Sequence, residues 1–200
     1  MILRLASTQI TRTAGALLVR CSPTADVIRG PFYSRGAPWR TQLCATDEAG
    51  DRLSIGGTVT TGPECRPVAN ATLDIWQTNA RGLYSNFFGF GARTNPRTFN
   101  LRGRMRSDAD GRYRFDSIVP GRYPLFWPLT RPRHIHLIVT HPLYEALTTQ
   151  IYFEGDEYNE WDPWWKASLT IRLESYLQQD PYERRQRGVF DIALRPVLNT

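Results

Sequence analysis

The sequence predicts an all-β protein: an antiparallel β-sandwich with long active-site loops and a short irregular N-terminal arm. Three observations carry that prediction. Fifteen glycines and fourteen prolines punctuate the 200 residues, which favours many turns over long helices. Apolar and polar residues alternate in short runs, the period of a half-buried strand. Such runs recur between turn signals along most of the chain, as they do in sandwiches.

Residues 1–29 read as the weakly structured arm, and residues 30–200 as one domain. "LSIGGTV" (53–59) is the first strand-like run. "ATLDIWQ" (71–77) alternates, with Leu73 and Ile75 on one face and Asp74 on the other. Residues 85–107 read as a long functional loop. "DADG" (108–111) is a turn, and in the "RYRF" that follows Tyr113 and Phe115 share a face. "HIHLIVT" (134–140), "LTTQIYF" (147–153), "SLTIRL" (168–173) and "GVFDIAL" (188–194) complete the strands. The stretch Leu173–Gln179 is the one place for a short helix. "EWDPWW" (160–165) reads as an aromatic packing block.

Composition narrows the function. Hydrophobic residues make up 41%, enough for a sizeable core. The net charge is +6, and Lys166 is the only lysine among 25 basic residues. The arginines are scattered and no nucleic-acid-binding motif accompanies them, so no nucleic acid partner is expected. No apolar run approaches the ~20 residues of a membrane span, so no membrane partner is expected either. Cys21, Cys44 and Cys65 are odd in number and widely spaced. They read as buried or free thiols of a reducing compartment, with cytoplasmic location the expectation and a single disulfide left open. Residues 1–25 carry arginine, serine and threonine and no acid, a faint likeness to a transit peptide.

The chemistry concentrates in "RPRHIHLIV" (131–139), which holds two of the three histidines. On a strand, His134 and His136 face the same way and Ile135 is buried behind them. Their Cβ atoms then lie roughly 6.5–7 Å apart, close enough for both imidazoles to reach one ion. Several donor sets remain open. Two histidines and Glu145 would suit Fe(II) or zinc, although Glu145 stands nine residues past His136. A cupin arrangement fits poorly, because no histidine follows His141. Cysteine-bound zinc has no thiol nearby. Tyrosine is the remaining hard donor, and Tyr84 and Tyr123 each follow a glycine-bearing turn at a strand end.

The segments "GPFY", "RPVANATLDIWQTNARGLYS", "LRGRMRSDADGRYRFDSIVPGRYP", "RPRHIHLIV" and "LTTQIYFEGD" stand in the order found in intradiol ring-cleavage dioxygenases of the catechol and protocatechuate type. The resemblance covers roughly residues 30–195. It implies a β-sandwich holding one non-haem Fe(III), with Tyr84, Tyr123, His134 and His136 as ligands. It implies Arg131 as the residue that stabilises the anionic substrate, Gln150 as a glutamine beside that arginine, and Tyr123 as the ligand that leaves when substrate binds. Trp76, Gly30 and Pro31 match residues that line the substrate pocket. Arg133 stands where the family has a small residue, and a strand turns it away from the iron. The implied partners are a small aromatic ortho-diphenol and O2, cleaved to a cis,cis-muconate-type diacid, and a homo-oligomer is compatible with the likeness. Arg102, Arg104, Arg106 and Arg122 make a carboxylated catechol such as protocatechuate attractive. The rival is a non-catalytic prealbumin-like sandwich, which shares the strand rhythm but lacks the tyrosine pair and the H-x-H.

Overall fold

Alternation along three neighbouring strands builds the sheet that carries the chemistry. The computed structural model describes residues 21–85, 99–126, 129–176 and 185–197, apart from the side chains of Leu125 and Phe126. Its strands are β1 (Arg52–Thr61), β2 (Arg66–Pro67), β3 (Thr72–Gln77), β4 (Arg102–Arg106), β5 (Arg112–Ile118), β6 (Tyr123–Phe126), β7 (Leu129–Arg131), β8 (His134–His141), β9 (Tyr144–Phe153), β10 (Thr170–Ile171), β11 (Glu174–Tyr176), β12 (Arg185–Val189) and β13 (Ile192–Leu194). Helix among the described residues is confined to two single 3-10 turns, Asn159–Trp161 and Ala167–Leu169.

Five strands form one sheet in the order β10-β9-β8-β3-β4. A second sheet is built around β1, which pairs with β5, β12, β13 and β2. The inward residues of the two sheets meet in one core, Leu73, Ile75, Ile135, Leu137 and Ile151 from the first against Leu53, Ile55, Phe115 and Ile192 from the second. This is the expected β-sandwich. Its sheets are mixed: most pairs are antiparallel, but β12 and β13 run parallel to β1, and β10 runs parallel to β9.

Several local expectations need correction. Part of the supposed loop 85–107 is strand β4, whose Arg102, Arg104 and Arg106 share the outer face while Gly103 and Met105 point inward. The arginines hid that alternation, because long charged stems can lie along a sheet face. Residues 86–98 of that loop lie outside the described residues. The supposed helix at Leu173–Gln179 is strand β11 over Glu174–Tyr176, paired antiparallel with β12; residues 177–179 lie outside the described set. "SLTIRL" shrinks to two strand residues after a 3-10 turn. "GVFDIAL" breaks at Phe190–Asp191, where the Phe190 N–H turns to the Gly56 carbonyl.

The cysteine reading also changes. Cys21 and Cys65 form a disulfide across 44 residues, and Cys44 alone is a buried free thiol. Residues 21–29 carry no regular secondary structure, yet they are tied down beyond that bridge. The Val27 N–H donates to Thr148 O, Thr148 N–H donates to Asp26 Oδ1, and Gln150 Nε2 donates to Ile28 O. The chain continues as a strap over the outer face of the five-stranded sheet. It reaches β4 at its far edge, where Arg104 N–H donates to Pro38 O.

Candidate metal centre

Strand β8 sets the site. Its alternation places Ile135, Leu137 and Val139 in the core, each fully buried, and turns His134 and His136 to the outer face. The two Nε2 atoms converge to 3.1 Å. Register then supplies neighbours, since His136 lies opposite Trp76 on one side and Gln150 on the other, and Trp76 lies opposite Arg102. A single cross-strand row therefore carries Arg102, Trp76, His136 and Gln150. The Trp76 indole stacks on the His136 ring at 4.7 Å between centroids and 5° between planes. Such a stack fixes the imidazole plane.

The two tyrosines arrive on turns that interlock. Asn79 organises the first: its Oδ1 accepts from the Arg81 and Leu83 N–H groups, and its carbonyl accepts from Gly82 and Gly121. Thr78 Oγ1 donates to Gly121 O. Gly82 has φ +80°, and a Cβ there would stand 2.0 Å from the Arg122 carbonyl oxygen. Only glycine allows that approach. The result brings "GLYS" and "GRYP" together, with the Tyr84 and Tyr123 rings 5.5 Å apart.

Three donor atoms now form a triangle. Tyr84 Oη lies 3.1 Å from His136 Nε2 and 3.4 Å from His134 Nε2, closing on the 3.1 Å imidazole pair. Donors bound to one ion at ~2.0–2.1 Å stand about 2.9 Å apart at right angles and about 3.3 Å apart at tetrahedral angles. The observed edges match that spacing. His134 Nδ1 donates to Pro132 O at 2.7 Å, which commits its proton and leaves Nε2 a bare lone pair aimed at the triangle. The donor set suits a hard trivalent ion: two neutral imidazoles and phenol oxygens that a strong Lewis acid deprotonates. Tyr123 is set differently, 5.6 Å from His134 between centroids, with its Oη 3.4 Å from Arg131 Nη1.

Electrostatics agree with metal-ready imidazoles. Burial holds His134 well below its ordinary value, and the Arg131 charge pushes further the same way. Burial does the same to His136, helped by His134, Arg131 and Arg102. Both rings are therefore neutral near pH 7. Burial raises the Tyr84 phenol, reinforced by Tyr123 and opposed by Arg131. Among the described residues no three His, Cys, Asp or Glu side chains come together. The carboxylate alternative has no support: Glu145 sits five residues along β9 from Gln150, roughly 16 Å at strand rise, and is exposed.

Arg131 is buried beside this cluster. Its Nε donates to Asp162 Oδ2 at 2.7 Å, and its Nη2 donates to Gln150 Oε1 at 2.7 Å and to Tyr152 Oη at 3.0 Å. Trp164 covers the guanidinium at 4.7 Å. Burial works against the Arg131 charge, but Tyr123, Asp162 and Tyr152 outweigh it and raise its pKa. The "EWDPWW" segment is thus more than a packing block, since two of its residues hold Arg131. Arg133 is exposed, as a side chain turned away from the site should be.

The strap roofs the pocket. Gly30, φ +71°, lies against the His136 ring, and Pro31 beside it is exposed. Phe32 stacks on Tyr84 at 4.5 Å and meets Tyr123 edge-on at 5.8 Å. Tyr33 packs on Trp76 and donates to Asp74 Oδ2 at 2.9 Å. Every expected site residue therefore lies in one neighbourhood. Sequence reasoning missed Phe32, Tyr33, Tyr152, Asp162 and Trp164. Tyr152 had a signal, standing two residues after Gln150 on the same strand face. Asp162 had none, because its partner is 31 residues away.

Comparison with known proteins supplies the context. The family described as Dioxygenase matches residues 28–196. Catechol 1,2-dioxygenase 1 of Acinetobacter lwoffii is 37% identical over 66% of this chain and 47% of its own length. Chlorocatechol 1,2-dioxygenase of Rhodococcus opacus is 37% identical over 70% of this chain and 60% of its own length. The chain thus spans about half the length of these curated relatives. Among solved structures, 3-chlorocatechol 1,2-dioxygenase of Rhodococcus opacus superposes with a TM-score of 0.78 at 29% identity, covering 87% of this chain and 73% of that one. The dioxygenase domain of a carbohydrate-binding fusion from Streptomyces sp. SirexAA-E gives 0.73 at 31% identity, covering 88% of this chain and 100% of that one.

Proposed function

This chain belongs to the intradiol ring-cleavage dioxygenase family, and on that premise we propose that it cleaves an ortho-diphenol with O2, between the two hydroxyl-bearing carbons, to a cis,cis-muconate-type diacid. The observation that carries the reading is the triangle of Tyr84 Oη, His134 Nε2 and His136 Nε2 with Tyr123 beside it. Those four residues would hold a ferric ion. When bound, the ion would supply the Lewis acidity that activates an ortho-diphenol toward O2.

The remaining work falls to the chain. Tyr84 lies within 3.4 Å of both histidines, whereas Tyr123 is engaged by Arg131. That asymmetry supports Tyr123 as the residue whose oxygen would take a phenol proton from the substrate. Arg131, a fixed cation in a dry site, stabilises negative charge that develops on the substrate, the preorganised contribution that commonly amounts to several kcal/mol. Gln150 and Tyr152 hold its Nη2 edge. Trp76 keeps the His136 ring in plane, and Phe32 and Tyr33 exclude water from above.

The substrate reading shifts with the arginines. Arg104 and Arg106 flank the Trp39 ring, Arg122 pairs with Asp156 and Glu157, and Arg102 donates to Ser85 Oγ against Tyr84. Their engagement supports an uncharged catechol over a carboxylated one. Oxygen uptake across catechol, hydroxyquinol and protocatechuate tests this, with product identification. Catechol-type diols are expected to turn over fastest, and a preference for protocatechuate would reverse the assignment. Tyr123→Phe is expected to remove part of the visible tyrosinate band and most turnover; unchanged colour and rate would defeat the ligand assignment.

The disulfide supports an oxidising compartment in place of the cytoplasm first expected. Thiol titration of denatured, unreduced protein is expected to find one free thiol of the three cysteines, that of Cys44.

A further inference from the structure

We infer that Asp162 is a positioning residue for Arg131: it locks one edge of the guanidinium so that the other faces the reacting centre. The inference rests on the role given to Arg131 above. A guanidinium presents its donors as a rigid planar fork, so fixing one edge and the plane fixes the whole group. Asp162 holds the Nε position at 2.7 Å, with both side chains almost entirely out of solvent. Gln150 and Tyr152 hold Nη2. Trp164 lies over the guanidinium. The Nη1 contact to Tyr123 is the long one, 3.4 Å. The fork is therefore anchored at its back and side, and its least tightly held donor points at Tyr123.

Asp162 is itself built to stay put. Its Oδ1 accepts the Trp164 N–H at 2.9 Å, and its own N–H donates to Asn159 O at 3.1 Å. The carboxylate thus takes Arg131 on one oxygen and its own turn on the other. It also neutralises the buried cation. Paired in this way, Arg131 meets developing negative charge on the substrate chiefly through the direction of its N–H bonds.

The experiment uses the full chain in iron-loaded and iron-free form. Asp162→Asn keeps the size and an acceptor oxygen but removes the charge. In the loaded enzyme it is expected to lower kcat about 10–100-fold with KM changed less than about threefold, the scale at which residues behind a metal site act. Asp162→Glu is expected to recover part of that loss. In the Arg131→Ala background, Asp162→Asn is expected to lower kcat no further. Thermal melting of the iron-free protein supplies a readout independent of turnover: the double variant should melt above both singles, because each single leaves one buried charge alone. Equal loss of kcat in both backgrounds, or additive shifts in melting, would overturn the inference. Should Asp162→Asn fail to fold, Arg131→Ala against the double variant reads the same question, because the double buries no lone charge. If the wild type consumes no oxygen with any ortho-diphenol, the proposed function fails, while the melting cycle still decides whether the two residues are coupled.

Discussion

Over its first four residues, strand β8 buries its two faces equally, and they do opposite things. On the inner face Ile135 and Leu137 are 0% exposed, and on the outer face His134 and His136 are 2% and 1% exposed. The inner face is covered by the second sheet and needs nothing but shape. The outer face is covered by the strap and two turns, and its polar atoms converge on a point. Depth alone therefore does not mark the core. What separates the faces is the cover: apolar strands on one side, irregular segments rich in aromatic rings and hydrogen-bonding groups on the other.

Moving a truncation by one residue along β8 should expose that difference. His136→Ala is expected to abolish iron binding, colour and measurable turnover, while the iron-free fold survives; metal analysis with circular dichroism would read both. Ile135→Ala should do the reverse. It removes a core side chain worth about 2–5 kcal/mol, so the thermal midpoint falls by roughly 2–4 °C for each kcal/mol while the colour stays. If Ile135→Ala bleached the protein as thoroughly as His136→Ala, the two faces would not be separable.

Acid should also act on the outer face first. Both histidines titrate well below the ordinary value in the folded chain, so the folded state binds fewer protons there than the unfolded state. Stability of the iron-free protein is therefore full above about pH 6.5 and declines as pH falls below it. Urea midpoints measured between pH 8 and pH 5 would show the decline, and its absence in His134→Phe/His136→Phe would assign it. The smallest effect belongs to Arg133→Ala. That exposed side chain should change stability by no more than about 0.5 kcal/mol and leave the visible spectrum untouched.

Local patterns made part of this legible in the sequence. The H-x-H spacing placed His134 and His136 on one face and Ile135 behind them, because strand geometry has a period of two whatever surrounds it. Leu73, Ile75, Tyr113 and Phe115 followed the same rule into the core. The gathering of Tyr84 and Tyr123 with the histidines came from motif order, since no spacing rule relates residues on separate turns and strands. Beyond reach were the features that depend on tertiary partners. Strand β4 was hidden by its arginines, and β11 by a sequence that suits either helix or strand. The Cys21–Cys65 bridge joins residues whose pairing no local pattern dictates. Asp162 looked like part of a tryptophan cluster because its function lies wholly in the side chain it meets.

The strap has one further consequence, for the span of chain that the site ties together. Its bonds to β9 join residues 122 to 124 positions apart, Asp26 to Thr148, Ile28 to Gln150 and Ala25 to Thr149. Loop-closure entropy grows only slowly with length, so such remote anchors cost little more to bring together than those of a far shorter connection. The roof over the imidazoles is therefore anchored from residues early in the chain to a strand far along it, and it closes the longest loops among the site contacts.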